Sequence, residues 1–230
     1  MLKELISIIK GDSPLKEISV SFREMLSIAQ EMTLEASEIY WRTTPSMERV
    51  RSLYERDIRV NKLERTIRKR IATHLTINAN YDVPYSLLLM SLVKDVERLG
   101  DYAKNLAETC ELTDAPIPDD ELTVELRDIR DKVETLAREA SRVFAESDRE
   151  RATELTVGGR VVAKRCDELV RQIARSEYSP ALTVKLTLGT RYYKRINSHV
   201  LNVLSSVIMP LHKLDYYDED LLHQANESAV

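Results

Sequence analysis

The chain is 230 residues long, a length for one or two domains. Hydrophobic residues make up 43% and charged ones 31%, which excludes a disordered tail and allows a sizeable core. Five glycines and seven prolines are too few for an all-β fold or for glycine-rich nucleotide-binding loops, and a net charge of −4 supplies no overall field for nucleic acid.

The first ten residues carry Leu2, Leu5, Ile6, Ile8 and Ile9, interrupted by Lys3 and Glu4. That run is too short to span a bilayer and lacks the small-residue cleavage site of a signal peptide. No other segment is long and apolar enough, so a soluble, cytoplasmic protein with no membrane insertion is expected. From Leu15 the spacing runs through Ile18, Phe22, Met25, Ala29, Met32, Ala36 and Ile39 in alternating steps of three and four. This predicts an amphipathic helix that Pro45 ends. A second helix starts near Ser46, a good N-cap, and carries Leu53, Val60, Leu63, Ile67 and Ile71. Asn78 to Pro84 reads as a turn, and a third helix follows with Tyr85, Leu89, Leu92, Val96, Leu99, Ala103, Leu106 and Cys110.

Pro116 and Pro118 mark the internal boundary. Beyond it the pattern restarts. Leu122, Leu126, Ile129, Val133, Leu136, Ala140 and Val143 form a fourth stripe, and Leu155, Val162, Cys166, Leu169 and Ile173 a fifth. The sixth runs from Leu182 through Leu186, Gly189, Tyr193, Ile196, Val200 and Val203 to Val207, and Pro210 ends it. The third and sixth stripes match at an offset of 97 residues, which places Arg98 on Arg195 and Asn105 on Asn202. Leu92 and Val96 become Gly189 and Tyr193, a large–small pair trading places in one layer. Helices two and five align at an offset of 106. The chain therefore reads as all-α, two tandem antiparallel three-helix bundles made by internal duplication. The repeats span 13–113 and 118–210, with flanking segments 1–12 and 211–230.

Among the polar residues, Glu97 and Asp101 stand one turn apart on the side of their helix away from the apolar stripe. The second helix offers Asp57 one turn before Asn61. Carboxylates on neighbouring helices are how bundles build metal centres, and the same spacing is found on solvated faces. The stretch Asp95-Val96-Glu97-Arg98-Leu99-Gly100-Asp101-Tyr102-Ala103-Lys104-Asn105-Leu106-Ala107-Glu108 closely resembles the signature of the PhoU family, whose E(D)xxxD motif stands here as Glu97 to Asp101. Gly100 costs this helix roughly 1 kcal/mol against alanine, which suggests a close approach.

The resemblance implies two tandem three-helix bundles over residues 13 to 210. It also implies a cytoplasmic, non-enzymatic adaptor that links phosphate uptake to phosphate signalling and acts as a negative regulator when phosphate is plentiful. The implied partners are a transporter ATPase, a sensor histidine kinase, or both, with a homodimer expected. Some relatives hold iron, nickel or zinc clusters on the motif carboxylates. Here the metal candidates are Asp57, Glu97 and Asp101, for a divalent or iron-type ion in the first repeat only. The second repeat has Lys194 and Ser198 in place of Glu97 and Asp101, and Ala163 and Asp167 in place of Asp57 and Asn61. Asn61 also replaces an acid in the first repeat, and Lys104 or Lys94 can neutralise the face, so binding by neither repeat stays open, as do a metal-binding helical protein and a regulator of another transporter.

Nothing in the sequence builds an enzyme. His74, His199, His212 and His223 show no HExxH spacing and have no nucleophile set beside them, and His199 reads as solvated. Cys110 and Cys166 lie on apolar stripes and read as core residues. The second helix carries nine basic residues from Arg49 to Arg70 against three acids, which suits either a solvated, ion-paired face or a surface for an acidic partner or phosphate. The apolar segment Leu2 to Ile9 adds surface for a dimer, and the acidic tail from Leu211 reads as a short closing helix or a frayed end.

Overall fold

A computed structural model describes residues 14–42, 47–77 and 83–214. It contains six long helices: α1 (Pro14–Trp41), α2 (Met47–Ile77), α3 (Val83–Glu108), α4 (Glu121–Glu146), α5 (Arg149–Ile173) and α6 (Pro180–Ile208). Single 3-10 turns follow α3, at Thr109–Leu112, and α6, at Leu211–Lys213. The described residues contain no strand. No helix among them is long and apolar enough to cross a membrane. Leu2 to Ile9, the Ser46 cap, the turn residues 78–82 and the acidic tail from Asp215 lie outside the described residues.

The stripes account for the packing. All eight residues of the α1 stripe, from Leu15 to Ile39, are fully buried. The second half shows how its helices are started and stopped. Asp120 caps α4 in a reciprocal capping box with Thr123, and Asp148 and Ser179 cap α5 and α6. Ser147 closes α4 with a left-handed φ of 52°, so Asp148 can begin the next helix immediately. The α2 stripe differs from its expected form. Its buried positions include Asp57, Glu64 and His74 beside Val50, Leu53, Val60, Ile67 and Ile71, while Leu63 lies at its margin.

Each unit leaves an apolar face on its first and third helices, and those faces close on each other. The α1 and α4 helices meet through Phe22 and Phe144, whose ring centroids are 5.0 Å apart, and through Ser37, which donates to Glu134 at 2.6 Å. The α3 and α6 helices cross antiparallel. At an offset of 97 residues Asp95 and Tyr102 correspond to Tyr192 and His199, and these four meet at the seam. His199 Nδ1 lies 2.9 Å from Asp95 Oδ1, and Asn202 donates to the same oxygen at 2.8 Å. The Tyr102 ring stacks on His199 at 5.5 Å and lies 6.2 Å from Tyr192. His199 is therefore a packed contact between repeats rather than the solvated residue its spacing suggested.

The exchange of Leu92 and Val96 for Gly189 and Tyr193 also works across repeats. The space left by Gly189 is filled by Tyr40 of α1, so close that a Cβ at Gly189 would collide with the ring and hydroxyl. Tyr193 is fully buried; its hydroxyl lies 2.9 Å from Ser37 Oγ and accepts from Trp41 Nε1 at 3.1 Å. Gly189→Ala should therefore destabilise the protein by about 1 to 3 kcal/mol in urea unfolding, although alanine favours helix. Adding Tyr40→Leu should recover part of that loss, and additive losses would show that the two side chains do not share this space.

Candidate functional site

The motif face of α3 looks onto α2. Asp57, on the core stripe of α2, is 6% exposed, and Glu97 is 8% exposed. Glu97 is thus buried rather than outward-facing, while Asp101 is half-buried. A Cβ on Gly100 would sit 3.5 Å from both Asp57 Oδ1 and Met32 Cε, an ordinary contact, so the neighbourhood is close but would accept a methyl group.

Lysine and arginine organise the carboxylates. Lys104 Nζ donates to Asp57 Oδ2 at 3.1 Å and to Asp101 Oδ1 at 3.5 Å, and lies 5.5 Å from the Tyr54 ring centroid. Asn61 donates to Asp57 Oδ2 at 3.2 Å. Arg98 donates to Asp101 at 3.1 Å and comes within 3.7 Å of Glu97, whose Oε2 also lies 2.8 Å from Lys94 Nζ. Asp57 and Asp101 are therefore brought together by one ammonium, and Glu97 is held by a different one. Burial pulls the Lys104 ammonium toward its neutral form, but Asp57 and Asp101 outweigh that and hold its pKa above the ordinary lysine value. A group raised in this way contributes stability that is fully present below the ordinary lysine pKa and lost as pH rises through the raised value.

The second repeat repeats the device with different positions. Lys194 of α6 donates to both Asp167 oxygens of α5, at 2.6 and 2.5 Å, and Arg191 adds a third contact at 3.3 Å. Four of the nine basic residues of α2 pair with acids of α1. Glu35 takes Arg49 at 2.5 Å and Arg56 at 2.8 Å, and Arg59 and Arg70 pair with Glu24 and Glu17. Burial raises the Glu35 carboxyl, but the two guanidinium groups hold it below the usual range. Both cysteines are buried and free, and burial pushes the Cys166 thiol up to about 12.

A sequence profile of the PhoU domain matches residues 22–110, the span that holds α2, α3 and most of α1. The architecture is similar to that of PhoU from Pseudomonas aeruginosa, with a TM-score of 0.75 and 20% identity over 84% of this chain and 95% of that one. It is also similar to the phosphate transport system regulatory protein PhoU from Streptococcus pneumoniae, with a TM-score of 0.70 and 15% identity over 87% and 94% of the two chains. No curated protein sequence matches the chain.

The PhoU motif carboxylates do not fit a metal ion as they are arranged. Among the described residues no three His, Cys, Asp or Glu side chains form a group that could hold one. The physical reason is the Lys104 ammonium, which already lies between Asp57 and Asp101 where a cation would have to enter. Sequence reasoning found Asp57, Glu97 and Asp101, and named Lys104 or Lys94 as able to neutralise their face; the signal is that Lys104 follows Asp101 by three positions on one helix face. What it did not place is the bridge by which Lys104 joins Asp57 to Asp101 while Lys94 takes Glu97. Lys104→Met should lower stability by about 2 to 3 kcal/mol, because Asp57 stays buried without its cation. Adding Asp57→Asn should return much of that loss in chemical unfolding, and equal instability of the single and double variants would show that the pair is not coupled.

Proposed function

We propose that this PhoU-domain protein is a non-enzymatic cytoplasmic regulator that couples phosphate uptake to phosphate signalling, restraining the response when phosphate is plentiful. The observation that carries the reading is the PhoU profile match over residues 22–110. The shared architecture with the Streptococcus protein supports it, since that protein is described as a phosphate transport system regulator. The partners are a transporter ATPase, a sensor histidine kinase, or both, engaged by protein contacts. The units that make those contacts are the repeats 13–113 and 118–210, in a homodimer. Affinity capture with the full chain from native lysate should recover a transporter ATPase or a histidine kinase of phosphate signalling. Recovery of an unrelated transporter in their place would overturn the phosphate assignment and favour regulation of that transporter.

A second reading, that Asp57, Glu97 and Asp101 take up a divalent or iron-type ion, is favoured by one observation. Asp57 Oδ1 is buried and has no hydrogen-bond partner. Entry of an ion requires Lys104 to withdraw, so Lys104→Ala should hold more metal than the native chain after dialysis against Mn, Fe or Zn. Elemental analysis of both proteins and of Glu97→Gln/Asp101→Asn measures this; equal metal in all three would end the reading.

A further inference from the structure

The outer face of α5 carries a short stripe of Glu154, Val157, Val161 and Lys164, in steps of three, four and three that keep it on one side of the helix. Val157 and Val161, one turn apart, are 55% and 53% exposed. We propose that this stripe is a two-fold interface on which a second copy of the chain docks, α5 against α5. The inference rests on the homodimer of the proposed regulator and adds which face closes it.

The stripe is complementary to itself. Antiparallel pairing of two copies about a point level with Gly159 sets Val157 against the partner's Val161. The same axis sets Glu154 against the partner's Lys164. By symmetry each contact occurs twice. Lys164 is exposed and makes no ion pair among the described residues. Glu154 pairs with Arg151, three positions back on the same exposed surface, at 2.7 Å, a contact that leaves the carboxylate free to take a second cation.

The shape of the face agrees with its charge. Val157 and Val161 form a ridge of the i, i+4 kind, and the next row, Glu154, Gly158 and Val162, has glycine at its centre. A Cβ at Gly158 would meet nothing within 4 Å, so no close approach inside the chain calls for glycine there. What the glycine leaves is a groove into which the valine ridge of a second copy fits, the packing class in which helices cross at about 50°. That crossing also parts Glu150 and Glu168, which share this side of α5 nine positions from the centre and would meet as like charges if the helices ran side by side. The first repeat has no such face: at the offset of 106 residues Arg51, Glu55 and Ile58 stand in place of Val157, Val161 and Lys164.

Light scattering and sedimentation equilibrium of the full chain test this. The native chain should be a dimer. Glu154→Lys or Lys164→Glu alone sets like charges against each other twice and should weaken the dimer about tenfold. The double variant restores opposite charges and should return to within about threefold of the native constant. Gly158→Leu adds apolar surface but fills the groove, so it should weaken the dimer, whereas an unspecific apolar contact would tighten. Circular dichroism and thermal unfolding of the variants should at least match the native chain, since every substituted residue is exposed. A native chain that is monomeric at every concentration overturns the homodimer itself. A native dimer that the single charge substitutions leave unmoved, that the double variant does not recover, or that Gly158→Leu tightens leaves the homodimer standing and overturns this face.

Discussion

The structure depends on the closure of two incomplete apolar faces on each other. A three-helix unit buries the stripes that face its own axis but leaves α1 and α3, or α4 and α6, with apolar surface turned outward. Antiparallel packing of α3 on α6 and of α1 on α4 removes that surface from water. The contacts are those of a two-fold interface within one chain, with equivalent helices facing each other. Phe22 meets Phe144 and Tyr40 meets Tyr193 across the two units, and all four are buried. The polar residues at the seam follow the same logic, since Asp95 is 8% exposed and is paired by His199 and Asn202 from the opposite unit.

Duplication preserved the helical frame and altered the chemistry inside it. Each repeat places an acid of its second helix against a lysine of its third. The first uses Asp57 with Lys104 and the second uses Asp167 with Lys194. These pairs do not occupy equivalent positions, because Lys194 aligns with Glu97 and Asp167 with Asn61. What persists is the electrostatic requirement: a carboxylate removed from water between two helices needs a cation within reach. The small residues show the same drift. Gly100 of the first repeat corresponds to Asn197 of the second, and Leu53 to Gly159, so side-chain volume has moved between neighbouring helices.

The charge on α2 illustrates how tertiary pairing changes the meaning of composition. Nine basic residues on one helix suggest a strongly attractive surface for an anionic partner. In the folded chain much of that charge is spent locally, since Glu17, Glu24, Glu35 and Glu38 of α1 lie alongside Arg70, Arg59, Arg56 and Arg49. These contacts fix the register of α1 on α2, while Arg51, Lys62, Arg65 and Lys69 are exposed cations that α1 does not pair.

The six long helices among the described residues, their order and the motif of α3 were legible in the sequence, because amphipathic periodicity and proline breaks are local properties of the chain. The helix limits follow the stripes closely, from Pro14 to Ile208. Burial of polar residues was not legible in this way. Periodicity assigns Glu64 and His74 to a face but cannot say what covers that face, and it assigned Glu97 to solvent because the opposing helix was unknown. Whether Lys104 neutralises Asp57, whether Tyr40 fills the space at Gly189, and whether Asn197 donates to the Gly159 carbonyl depend on contacts between residues 38 to 149 positions apart. Such contacts are set by how helices cross, and only the tertiary structure decided them.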